Sequence, residues 1–206
     1  MSLIEHTDPP KVWTGAAADA IAAGAPVPVI TAWLDHGLTP EPVLFMRAAQ
    51  AHRADVLTLL FNAARPWGQG AIDAGALAAL TPPSALDRCA FDDIDTARAV
   101  LANATRTVMN QAKSWVHGGA AVPVWWHAFR NADESQDLAV LLVLLREHGA
   151  DLAGTPFSDM GATNGGKHGE ALRAFLLAER IEAERAVLRQ TAAETEAVVL
   201  VRRARL

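Results

Sequence analysis

Helix breakers punctuate this chain at short intervals, and they limit what it can become. Gly24 and Pro26, Gly37, Pro42, Pro66, Pro82-Pro83, Gly118-Gly119 with Pro123, and Gly149 separate apolar stretches that are only a few helical turns long. Pro lacks the amide proton a helix interior needs, and Gly closes helices in a conformation that side chains resist. The longest strongly apolar run, "LAVLLVLL" at 138–145, is too short to span a bilayer. Short helices of this kind are marginal alone and must bury their apolar faces on one another.

The stretches between breakers carry helical periodicity. Two short helices are expected in 16–42, the second with Val29, Ile30, Trp33 and Leu34 on one stripe and Trp33 in the core. In 41–67, Phe45, Ala48 and Ala49 make one buried face, and Val56, Leu57, Leu59, Leu60 and Ala63 make the next. Pro42 sits in the first helical turn, where its missing donor costs nothing. Segment 68–86 reads as a turn with a short helix at 75–80, then a break at Pro82-Pro83. "TARAVLANATRTVMNQA" reads as one helix started by Asp95, with Val100, Leu101, Val108 and Met109 inward. A short helix is expected at 123–131. Segment 137–152 forms one that is apolar nearly all round and so is enclosed by its neighbours. The last helix is expected over 170–201, with Leu172, Phe175, Leu176 and Ile181 buried and a wet Glu/Arg-rich remainder. No strand is expected.

Composition supports helices: the apolar share is 51%, mostly Ala, Leu and Val, and Tyr is absent. The net charge of −5 and the single basic cluster, "RRAR" at 202–205, do not suit phosphate-backbone binding, so no nucleic-acid partner is expected. Cys89 is the only cysteine, and the first residues lack the basic-then-apolar order of a secretory signal. The expectation is a cytoplasmic protein with no membrane association. The dominance of Arg over Lys, with abundant Ala, is a bias that a GC-rich bacterial genome would produce.

The repeated order is a short helix, a tight turn, a longer apolar helix ending near Gly, then a loop. Units of that kind hide their faces by stacking on one another. The unit "VPVWWHAF…DLAVLLVLLREHGADL", 122–152, resembles the ankyrin repeat family. "LLREHGADL" is similar to that family's second-helix ending, and "VPV" stands where the family has Thr-Pro-Leu. In 41–66, Ala48-Ala49 match the small pair of the first helix, and 16–39 follows suit with "AWLDHG". The resemblance implies an all-α stack of helix pairs, an ankyrin-like α-solenoid. The array would cover 12–157, degenerate within 68–117, with a loop and long C-terminal capping helix over 158–206, together one structural domain. Small residues such as Ala48, Ala49 and Ala128 would let the first helices of adjacent units approach closely.

In that family the first helices and loops line a concave binding surface. Carried over, this places Trp67, Trp126, His127 and Arg130 near a partner protein; of Trp125 and Trp126, adjacent on a helix, one faces the core and the other the groove. The expected function is protein–protein interaction without catalysis, with an effector or toxin among the possible partners. The chain itself would be a monomer or weak oligomer. The other reading is an enzyme or small-ligand binder on a helical bundle, using the 153–168 loop with His127 or His148.

Individual motifs add little chemistry. "GATNGGKH" at 161–168 approaches a phosphate-binding loop, but His168 replaces the metal-binding hydroxyl and no buried strand precedes it. No two histidines have the spacing of zinc ligands on a helix, and "FDDID" lacks the glycine of a calcium loop. No cofactor, metal or catalytic residue is expected.

Overall fold

A computed structural model describes residues 12–81, 90–113, 121–153 and 166–203, with side chains described within 13–192. Among these residues the chain is mostly helical. The helices are α1 (Val12–Ala22), α2 (Val27–Asp35), α3 (Pro42–Gln50), α4 (Ala54–Ala64), α5 (Gln69–Leu80) and α6 (Ile94–Leu101). They continue with α7 (Arg106–Asn110), α8 (Val124–Arg130), α9 (Leu138–Glu147) and α10 (Gly166–Arg203). No helix among the described residues is long and apolar enough to cross a membrane. The chain divides into two compact units, one up to Thr155 and one from Pro156.

In the first unit the packing follows two rows. α1 lies against α3, α3 against α5, and α5 against α8; separately, α2 lies against α4, α4 against α6, and α6 against α9. The first row is lined with small residues. Ala17, Ala18, Ala48, Ala49, Ala76, Ala79 and Ala128 are all buried, beside Phe45, Trp125 and Phe129. Gly75 of α5 is the closest approach, for a Cβ built there would stand 2.8 Å from Cζ of the Phe45 ring. The second row is filled by branched side chains, among them Ile30, Val56, Leu57, Leu60, Val100, Leu141 and Leu145.

The turns between helices are also tied, each to the next. Arg53 donates to the carbonyl of Ala25 at 3.0 Å while its fork holds Asp55 at 2.9 and 2.8 Å. His52 Nε2 lies 4.0 Å from Asp92 Oδ2, and Asp92 Oδ1 accepts the backbone N–H of Asp133 at 2.8 Å. These links join the turn after α1 to the turn after α3, then to the segment before α6, then to the turn after α8.

Several sequence expectations change. The segment 95–112 is two helices, because Asn103 and Ala104 close α6 and the Thr105 hydroxyl accepts from the Val108 N–H to start α7. α6 is capped by Asp93 and not Asp95: the Asp93 carboxylate accepts from both the N–H and the hydroxyl of Thr96. α5 is longer than 75–80, starting at Gln69. A two-residue antiparallel pair, β1 (Ala112–Lys113) with β2 (Val122–Pro123), stands where no strand was expected. α9 has an outside: Val140 and Val143 are exposed opposite buried Leu141, Leu142, Leu144 and Leu145. Trp33, Leu34, Leu59 and Ala63 are only half-buried, and Val29 is exposed, whereas Leu44 and Phe61 are core residues the pattern did not single out. Pro82-Pro83, Cys89, His117 and 161–165 lie outside the described residues.

Gly149 ends α9 at φ +88, and its N–H and that of Ala150 bond back to Arg146 and Leu145. That is the left-handed closure a glycine allows at lowest cost.

The second unit is dominated by α10, about 57 Å long at 1.5 Å per residue. Leu172 and His168 are buried, Phe175 and Leu176 are half-buried, and Leu177, Ile181, Val187 and Leu188 are exposed. The exposed part carries intrahelical pairs: Arg180 with Glu184 at 3.0 Å and Arg185 with Glu182 at 2.6 Å. Pairs like these stabilise a helix by tenths of a kcal/mol each, about 0.2–0.5. The helix runs unbroken through "AVVLV" at 197–201.

Candidate functional site

The four residues singled out from sequence occupy different environments. α8 is seven residues long and packs against both α5 and α7, so its covered arc is wide. Both adjacent indoles are therefore enclosed. Trp125 and Trp126 meet edge-on at 5.8 Å between ring centroids, and Trp126 also lies 6.0 Å from Phe129. Trp126 is 2% exposed, so it is a core residue and not an accessible anchor. The expectation that adjacency would turn one indole outward fails because two helices, not one, cover α8.

His127 is half-buried. Burial, and secondarily the charge of Arg130, hold its pKa below the ordinary imidazole value and so favour the neutral ring. Asn131 secures this end of α8, its amide donating to the His127 carbonyl at 2.7 Å and standing 3.4 Å from Nε2. Arg130 is exposed. Trp67 is 64% exposed, carried on the 3-10 turn Arg65–Trp67 that joins α4 to α5. Trp67 and Arg130 are thus open to a partner, and His127 partly so.

A groove absent from the sequence expectations lies between α5 and α7. It has a volume of about 560 Å³ and is lined by Asp73, Ala74, Leu77, Thr107, Val108, Asn110 and Gln111. Ala74, Leu77 and Val108 supply apolar surface. Asp73 is the only charged residue among the described lining, and Gln69, one turn earlier on α5, donates to Asp73 Oδ1 at 2.9 Å. Asn110 is committed elsewhere: its amide donates to the carbonyls of Arg106 and Gly149, and its Oδ1 accepts from the Asp151 N–H. Those bonds fix α7 against the end of α9. The groove exists because the helix expected over 95–112 breaks, and the polar-and-cap sequence "NAT" at 103–105 is the signal that could have disclosed it.

A second, apolar cleft of about 260 Å³ is lined by Trp13, Ala16, Ala17, Trp33 and Leu38. Trp13 is 54% exposed there. Its described lining offers apolar surface and no charged group to orient a ligand.

Among the described residues no three His, Cys, Asp or Glu side chains gather as metal ligands. His148 is the half-buried C-cap of α9, while Lys167 and His168 open α10 in the other unit. Most of the 153–168 loop lies outside the described residues. The groups at the α5/α7 groove can shed water from an apolar strip and accept or donate a few hydrogen bonds beside it. No protein-family model matches the chain, and neither a curated protein nor a solved structure is significantly similar to it.

Proposed function

We propose that the chain is a protein-binding module built as an ankyrin-like stack of helix pairs, the partner lying along the first helices and their connecting loops. The observation that carries this reading is the double row of helices: α1, α3, α5 and α8 neighbour one another in sequence of units, and α2, α4, α6 and α9 do the same. A bundle around one centre would bring first and last helices together; a stack gives each unit only its neighbours. The turn-to-turn links through Arg53, Asp92 and Asp133 run in the same order. The short β1–β2 pair directly precedes α8, at the place where units of this kind carry a hairpin.

On this reading α5 and α8 belong to the binding side, together with Trp67, Arg130 and the α5/α7 groove. The second row, including exposed Thr58 on α4, is the back. The test is site-specific photocrosslinking in cells that make the protein. A crosslinker in place of Trp67, Leu77 or Arg130 should give a discrete protein adduct, and one in place of Thr58 should not. Equal adducts from both sides, or none from the first-row positions, would overturn the proposal.

A further inference from the structure

We infer that the α5/α7 groove receives a lysine or arginine side chain carried on an apolar segment of the partner protein. This rests on the protein-binding reading above and adds the chemistry of the occupant.

The argument is one of complementarity. Among the described residues the groove is lined by apolar Ala74, Leu77 and Val108 and by a single charged residue, Asp73. The Asp73 carboxylate is held through Oδ1 by Gln69, which fixes its direction, and no described residue engages Oδ2. A carboxylate oriented by one hydrogen bond with one oxygen free is an acceptor awaiting a donor. Long basic side chains suit such a place: their methylene stems lie on apolar surface while the charged head reaches the carboxylate. Across the groove, Thr107 and Gln111 offer a hydroxyl and an amide for the neighbouring main chain of the bound segment. Asn110 is occupied by its bonds to Arg106, Gly149 and Asp151 and takes no part. The nearest cation in sequence, Arg106, lies along Gly149 and is not in the lining. An acidic segment would meet Asp73 with no compensating cation among the described lining, and a purely apolar one would cover its carboxylate without a charged partner, which is costly.

The experiment selects ligands for the full chain from a displayed library of random linear peptides, then repeats the selection on Asp73→Asn and Asp73→Lys. The wild-type chain should enrich peptides with Lys or Arg beside apolar residues. The strongest of these, made synthetically, should bind Asp73→Asn about tenfold more weakly. Asp73→Lys should switch enrichment to peptides with Asp or Glu at the same place. Because Asp73 is half-exposed, both variants should keep the wild-type unfolding midpoint, which separates lost recognition from lost folding. Enriched peptides without a cation, or affinities unchanged by Asp73→Asn, would overturn this inference while leaving the protein-binding reading intact. Absence of peptide enrichment alongside crosslinks from Leu77 would overturn it too. Absence of both would remove the two together.

Discussion

Gly75→Ala is the substitution that most directly tests the close packing of the first row. At an open helical site the change stabilises by up to about 1 kcal/mol, because alanine restricts the unfolded chain and favours helix. At Gly75 the new Cβ would stand 2.8 Å from Phe45 Cζ and 2.9 Å from Cε1 and Cε2. Carbon atoms prefer separations of about 3.5–4.0 Å, so the ring must withdraw by roughly 0.7 Å or more. It has little room to do so: Phe45 is fully buried and its ring centroid is 4.8 Å from that of Phe61. Overpacking of this kind costs about 1–3 kcal/mol, so after a helix-propensity gain of about 1 kcal/mol the net loss is up to about 2 kcal/mol. For a chain of this size that lowers the thermal midpoint by several degrees, about 2–4 °C per kcal/mol. Gly15→Ala, in α1 with nothing within 4 Å of the added Cβ, is the matched control and should hold or raise the midpoint. Urea unfolding of Gly75→Ala, Phe45→Leu and the double variant supplies a coupling energy. The double variant should be more stable than the two single losses add up to, by about 1 kcal/mol, because leucine vacates the space the methyl needs. A stabilised Gly75→Ala, or strict additivity, would refute the contact and with it the tight α3–α5 seam.

Other expectations follow from the same coordinates. Trp126→Ala should cost about 3–5 kcal/mol in denaturant unfolding, while Trp67→Ala, on an exposed turn, should stay within about 0.5 kcal/mol. Asp93→Ala removes the α6 cap and should cost about 1 kcal/mol near neutral pH. Burial works to raise the Asp93 pKa, but the Thr96 hydroxyl and N–H and the nearby His52 outweigh it and hold the carboxyl below its ordinary value. Its stabilisation is therefore present above the unfolded-state value, about 3.9, and fades as pH falls through the lower folded value. The gap between wild type and Asp93→Ala should narrow in that acid window. An NMR titration should find His127 below the usual imidazole midpoint and moving upward in Arg130→Gln, which removes one of the two causes.

The helices could be read from the sequence where local signals and packing agree. Pro42 opens α3 and Pro66 follows α4, and between them Phe45, Ala48, Val56, Leu57 and Leu60 fall inward as their spacing requires. Reading failed where two local signals compete, or where a choice depends on neighbours distant in sequence. Asp93 and Asp95 are equally good caps in isolation; Asp93 wins because Thr96 supplies both an N–H and a hydroxyl at the right distance. Val140 and Val143 look as apolar as Leu141 and Leu144, and it is the neighbours of α9 in the fold, α6 among them, that decide which side is covered. Trp126 was misplaced for the same reason, since no one-dimensional pattern reveals that α5 and α7 both cover α8.

The groove at Asp73 illustrates why a binding surface is harder to read than a core. Core positions repeat with the helix period because water is excluded from one side, and exclusion acts on every unit alike. Groove positions obey no such repetition. Asp73 and Leu77 share α5 with buried Ala76 and Ala79, and what sets them apart is the short α7 placed opposite them. That placement rests on Asn110, whose amide reaches two carbonyls and whose oxygen holds the Asp151 N–H at 2.7 Å. Asn110 would read as an ordinary polar residue at a helix end. Two of its three bonds reach from α7 to the end of α9, and so tie that short helix in place. On the proposed stacked reading, a short helix that departs from the pairing pattern, and is still tied in place, is where the array acquires a surface of its own.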